Sequence, residues 1–161
     1  MSVAFRRESD EEHLEPKFEL PIPPGPNLVT TAGLAIIEAK LATVEALIAS
    51  APEELVLADA KRQWRYWITR KTSAQLAPPP PLDRVAFGSR VRFTLNGALR
   101  SVTLVGSDEA DTATDKIPFT APLARALIGG EVGEALDFGG RADAIEILGI
   151  EGTDSAPWPI S

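Results

Sequence analysis

Apolar positions along the chain follow two different periods. In 28–50, Leu34, Ile37, Leu41, Val44 and Ile48 recur at alternating spacings of three and four. That seam predicts a helix packed lengthwise on another helix. Thr30 or Thr31 can cap it, and alanines at 35, 39, 42 and 46 favour helix and close approach. A second run, 53–76, places Leu57, Ala60, Trp64 and Trp67 in one arc and Lys61, Arg62, Arg65 and Arg70 on the other side. Between the runs, Ser50-Ala51-Pro52-Glu53 reads as an S-x-x-E capping box with proline in the first turn. The expectation is an antiparallel helical hairpin, a short coiled coil, with its tip near Ser50–Glu53 and its tryptophans facing the first helix.

The period changes after the proline run Pro78–Pro81. Alternating segments flank Asn96-Gly97, a strong hairpin-turn signal. "DEADTATD" reads as a polar loop and "KIPFT" as a short strand. "APLARALIGG" reads as a short helix with Thr120 as cap, Pro122 near its start and Gly129-Gly130 as its stop. "EALDF" and "DAIEILGI" supply two more strands around a Gly-Gly turn. The fold class is therefore α+β, a helical hairpin followed by an antiparallel sheet with one helix. The expected divisions are an acidic, Pro-rich arm over 1–27, the hairpin over 28–76, a linker over 77–83, the sheet domain over 84–151 and a loose tail over 152–161.

Composition narrows the chemistry. The 161 residues contain no cysteine and one histidine, His13, so thiol catalysis, disulfides, a His-based triad and a multi-His metal site are excluded. A net charge of −7 argues against independent nucleic-acid binding, which needs a basic footprint. No secretory signal or membrane-spanning run is present, so a soluble, cytoplasmic protein is expected.

Residues 84–150 resemble the C-terminal domain of the Gre transcription elongation factors, GreA and GreB. "RVAFGSRVRF", "TLVGSDEAD", "APLARALIGGEVGEAL" and "EILGI" carry the resemblance in order, and "VTTAGLAIIEAKL" resembles the start of the Gre hairpin. The resemblance implies an FKBP-like C-terminal domain that docks on RNA polymerase at the rim of its secondary channel, and a coiled coil that enters the channel. It also implies acidic tip residues that help the polymerase's own site hold a second magnesium ion and cleave backtracked RNA. By matching positions, polymerase docking falls to Thr120, Ala121 and Pro122, with Ala121 in place of the usual serine. Lys61, Arg62, Arg65 and Arg70 resemble the basic patch that lies near nascent RNA.

The chain departs from that pattern at the tip. The family's Asp-Leu-x-Glu-Asn element is missing, and the hairpin is several turns shorter, as in the Rnk regulators. Glu53 and Glu54 are the candidate acids, yet the capping box accounts for Glu53 without any catalytic role and the helix dipole accounts for Glu54. The expected protein is a monomeric accessory factor of bacterial RNA polymerase, not itself an enzyme, with little or no cleavage stimulation. It has no cofactor of its own; magnesium enters only through the polymerase. The alternatives are a true cleavage factor using Glu53 and Glu54, a prolyl isomerase on an FKBP-like fold, or an interaction module for another partner. An isomerase pocket needs aromatic walls, for which Phe87, Phe93, Phe119 and Phe138 are available, Phe87 and Phe93 reading as core.

Overall fold

The structure, a computed structural model, describes residues 19–152. Most of the N-terminal arm, with His13, and nearly all of the C-terminal tail fall outside the described residues. The elements in chain order are β1 (Leu28–Val29), α1 (Thr31–Ala49), α2 (Glu54–Ser73), β2 (Gln75–Leu76), β3 (Ser89–Leu95) and β4 (Ala98–Val105), then β5 (Lys116–Pro118), α3 (Pro122–Leu127), β6 (Ala135–Phe138) and β7 (Arg141–Gly152). Two compact units result. One comprises 19–26 and Leu34–Ala74; the other comprises Asn27–Gly33 and 75–152. The expected boundary at 76/77 thus shifts, because both ends of the helical segment belong to the sheet unit.

In the helical unit the seam falls where its spacing predicts. Ile37, Leu41 and Val44 are buried, with Leu34 and Ile48 half-buried at its ends. On α2, Ala60 is fully buried and Trp64 and Trp67 are half-buried. The indole Nε1 of Trp64 donates to Glu45 Oε2 at 3.1 Å, which places it beside α1.

The sheet unit is built on five strands in the order β5-β4-β3-β7-β6. Asn96 and Gly97 both take positive φ, 52° and 87°, as a type I′ hairpin turn requires, and Leu95 pairs with Ala98 across it. Four strands are antiparallel, but β5 lies parallel to β4, so the sheet is mixed rather than wholly antiparallel. Val91 and Phe93 of β3, Val102 and Leu104 of β4 and Ile145 and Ile147 of β7 bury one face, covered by Ala124 and Leu127 of α3. Gly129, at φ 90°, ends α3, and Val85 exchanges backbone bonds with it and with Gly130, each 2.8 Å. Near the end of β7 a register shift opposite Arg92 and Phe93 leaves Leu148 without a partner.

Two features went unpredicted. The two-residue strands β1 and β2 pair in parallel, Leu28 with Gln75 and Val29 with Leu76. Phe87 lies ahead of β3 and is half-buried, so it is not the strand core residue expected; Phe93 is.

Candidate functional site

The tip of the hairpin differs from a capping box. Backbone N–H groups of Ser50 and Ala51 close the end of α1 on Ala46, Leu47 and Ile48 carbonyls, and the Ser50 hydroxyl donates back to Leu47 O at 2.6 Å. Ala51 then takes φ 55°, the left-handed conformation that ends a helix, and Pro52 leads out of it. Ser50 therefore finishes the first helix and cannot also start the second. Glu53 is itself the N-cap of α2, and its carboxylate makes no capping bond. The expected capping box is absent, and both Glu53 and Glu54 stand exposed at the positive end of the α2 dipole. Beside them Leu55 is 84% exposed, with Val56 and Leu47 also in solvent.

Two adjacent carboxylates leave most of a magnesium shell unfilled. Among the described residues no group of three acidic, histidine or cysteine side chains could hold a metal ion. A cation at this tip would need most of its ligands from another molecule.

The basic residues of α2 do not form one face. Lys61 and Arg65 are exposed, and Arg65 pairs with Glu19 at 2.6 Å. Arg62 is drawn in against Asp59, 2.7 Å away, and Gln63 also donates to that carboxylate at 2.7 Å. The bonds from Arg62 and then Gln63 hold the Asp59 carboxyl below its ordinary value. Arg70 is 3% exposed, against the expectation of a solvated position. At 100° per residue it lies only about 80° around the wheel from buried Ala60, beside the seam rather than opposite it. Ile48, Trp64 and Glu45 combine with Lys61 and Arg65 to line a crevice of ≈ 380 Å³ within the helical unit.

On the sheet unit, Thr120 and Pro122 are exposed and Ala121 is half-buried against the core. Ala121, not Thr120, is the N-cap of α3, and no side chain caps that helix. Pro122 occupies the first turn, where its missing N–H costs nothing. Phe119, just before this loop, meets Phe87 edge to face at 5.3 Å. Phe93 is in the core and Phe138 packs at its margin, so the four phenylalanines are divided among separate places.

Sequence reasoning missed a buried carboxylate. Glu109, assigned to a polar loop, is 6% exposed. Thr30, the N-cap of α1, accepts from Gly33 N at 2.9 Å and donates its hydroxyl to Glu109 Oε1 at 2.6 Å. Lys116 Nζ approaches the other carboxylate oxygen at 3.7 Å. A Cβ at Gly33 would lie 2.8 Å from Glu109 Oε1, so any larger residue there would push that carboxylate away from Thr30. Gly106, three residues before Glu109, is constrained more strictly because a Cβ would overlap the Leu28 backbone carbonyl oxygen. The threonine and glycine that open the helical run and the "GSDE" of the sheet unit are thus parts of one contact.

Part of the chain is similar to known proteins. Residues 79–151 match the family described as transcription elongation factor, GreA/GreB, C-term. Transcription elongation factor GreA of Sinorhizobium medicae is 36% identical over 73 residues, 43% of this chain and 46% of the relative. Transcription elongation factor GreB of Neisseria meningitidis serogroup B is 36% identical over 92 residues, 53% of this chain and 56% of the relative. The chain spans about half the length of the curated relatives it matches. Among solved structures, GreA factor homolog 1 of Thermus thermophilus is similar at 19% identity and a TM-score of 0.36, covering 80% of this chain and 100% of that one. That likeness is too low to bear on function. The sheet unit of the chain is thus similar to the C-terminal part of the GreA/GreB transcription elongation factors.

Proposed function

We propose that the protein is a transcription elongation regulator that binds RNA polymerase at its secondary channel, in the cytoplasm, and stimulates transcript cleavage weakly or not at all. The match over residues 79–151 carries the reading, because that unit presents the loop which, by resemblance, faces the polymerase rim. Pro122 suits such a contact: its ring is exposed and its backbone is fixed by the first turn of α3.

Weak cleavage follows from reach. A helix of 19 residues, α1 extends about 28 Å. A hairpin trimmed by several turns leaves its tip about 15–20 Å short if the sheet unit docks in the family's manner. Magnesium is coordinated at about 2 Å, so no rotamer of Glu53 or Glu54 closes such a gap. Glu53 makes no capping bond, so distance and the missing Asp-Leu-x-Glu-Asn element carry this part of the proposal. Among the described residues no helix is long and apolar enough to cross a membrane.

Titration with core RNA polymerase tests the binding. Pro122→Arg is expected to weaken it at least about tenfold, or 1.4 kcal/mol, with an unchanged melting temperature. Unaltered affinity would remove the docking assignment. A backtracked complex given magnesium and this protein tests the chemistry: rapid cleavage that vanishes in a Glu53→Gln, Glu54→Gln variant would make those glutamates reagents.

A further inference from the structure

On α2 an acid and a base share one exposed stripe. At 100° per residue Lys61 lies only about 20° around the wheel from Glu54, and two turns, about 10 Å, further along the axis. Both side chains are exposed, and among the described residues neither makes an ion pair. Between them on the same side is Ala58, exposed and small enough to let another helix approach closely. Lys61 also borders the ≈ 380 Å³ crevice, whose apolar lining is Ile48 and Trp64. The other charges of that crevice are already engaged: Arg65 holds Glu19, and Glu45 accepts from the Trp64 indole.

We propose that this stripe is the interface of an isologous dimer, in which two copies of the chain pack α2 against α2 in antiparallel, with Glu54 of each on Lys61 of the other. A stripe with an acid at one end and a base at the other is its own complement when turned through a half-circle, so the same contact is made twice. The two-fold axis passes midway between positions 54 and 61, beside Leu57 and Ala58. In that register position 51 of one copy stands level with position 64 of the other. The tip segment Ala51-Pro52 of each copy therefore lies over the crevice of its mate and covers Ile48 and Trp64. Each ion pair is modest by itself, so the dimer is weak and reversible. The net charge of −7 opposes association, but at physiological salt the Debye length of about 8 Å screens most of that repulsion, while pairs in contact are screened less. The monomer expected from the sequence is then one side of an equilibrium, and it is the form that presents the tip to any other molecule.

Sedimentation equilibrium on the full chain at physiological salt tests this. The wild type is expected to pass from monomer to dimer in the micromolar range and to stop there. Glu54→Lys and Lys61→Glu should each raise the dissociation constant at least about tenfold, because each sets two like-charged pairs across the axis. An equimolar mixture of the two variants should recover wild-type association, since each then supplies the charge that the other lacks. That recovery also excludes unfolding as the cause of either loss. A wild type that stays monomeric, undiminished association of Glu54→Lys, or a mixture that does not recover would overturn the proposal. Association that runs past the dimer would mean a head-to-tail contact and would overturn it as well.

Discussion

The two units bury apolar surface in different ways. In the sheet unit, β3, β4, β7 and α3 all feed one contiguous core, and Phe93, Leu104, Leu127, Ile145 and Ile147 are completely excluded from solvent. In the helical unit the buried apolar side chains are Ile37, Leu41, Val44 and Ala60, and apolar groups emerge into solvent toward the tip at Leu47, Leu55 and Val56. One unit is closed by contacts between residues far apart in sequence; the other is a seam that thins with distance from its base. The contrast teaches where each unit can change. The tip tolerates substitution because little depends on it, whereas the sheet unit couples almost every inward position to several others.

Phe93→Ala should have the largest effect. Its ring is fully buried between strands, so truncation should cost about 3–5 kcal/mol in urea unfolding. A loss below about 1 kcal/mol would show that the core is looser than its burial indicates and remove the contrast with the tip. Next comes Thr30→Val, which removes an acceptor from Gly33 N and a donor from Glu109 while keeping the shape. With Glu109 left buried and short of one partner, the cost should be about 1–3 kcal/mol, read from the same unfolding midpoint. Glu109→Gln in the same background should then cost little more, because the two residues act together.

Asp59 should give the smallest effect, and one that depends on pH. Its folded pKa lies below the ordinary 3.8, so its bonds to Arg62 and Gln63 stabilise the fold above that value. The contribution fades as pH falls from 3.8 through the lower folded pKa. Since the side chain is half in solvent, Asp59→Asn should cost only a few tenths of a kcal/mol at pH 7 and less near pH 2. An equal loss at both values would assign the effect to packing.

Much of this was legible in the sequence. The 3-4 spacing from Leu34 to Ile48 locates the seam, Asn96-Gly97 locates the hairpin turn, and Gly129-Gly130 locates the end of α3. The failures have particular causes. β1 and β2 are two residues each, too short to carry a period. Glu109 sits in a stretch that is polar throughout, and its burial arises from a residue 79 positions away. Ser50-x-x-Glu53 fits a cap by composition, but Ala51 in the left-handed region uses Ser50 to end one helix before the next begins. Of the candidate site, the exposure of Thr120 and Pro122 follows from a Pro-led helix start, while the pairing of Arg65 with Glu19 depends on where a non-periodic arm happens to run.

The unpaired Leu148 gives β7 two reading frames. Before it, Ile145 and Ile147 alternate inward; after it, Gly149 pairs with Arg92, and Ile150 pairs with inward-facing Val91 and packs at the margin of the core. Were the alternation uninterrupted, Gly149 and Glu151 would take the inward parity and the Ile150 side chain would turn outward. Instead Glu151 lies opposite Arg90, 3.2 Å from its guanidinium. One inserted residue thus acts as a frameshift in the strand, and it explains how Ile147 and Ile150, three positions apart and so of opposite parity, both serve the core.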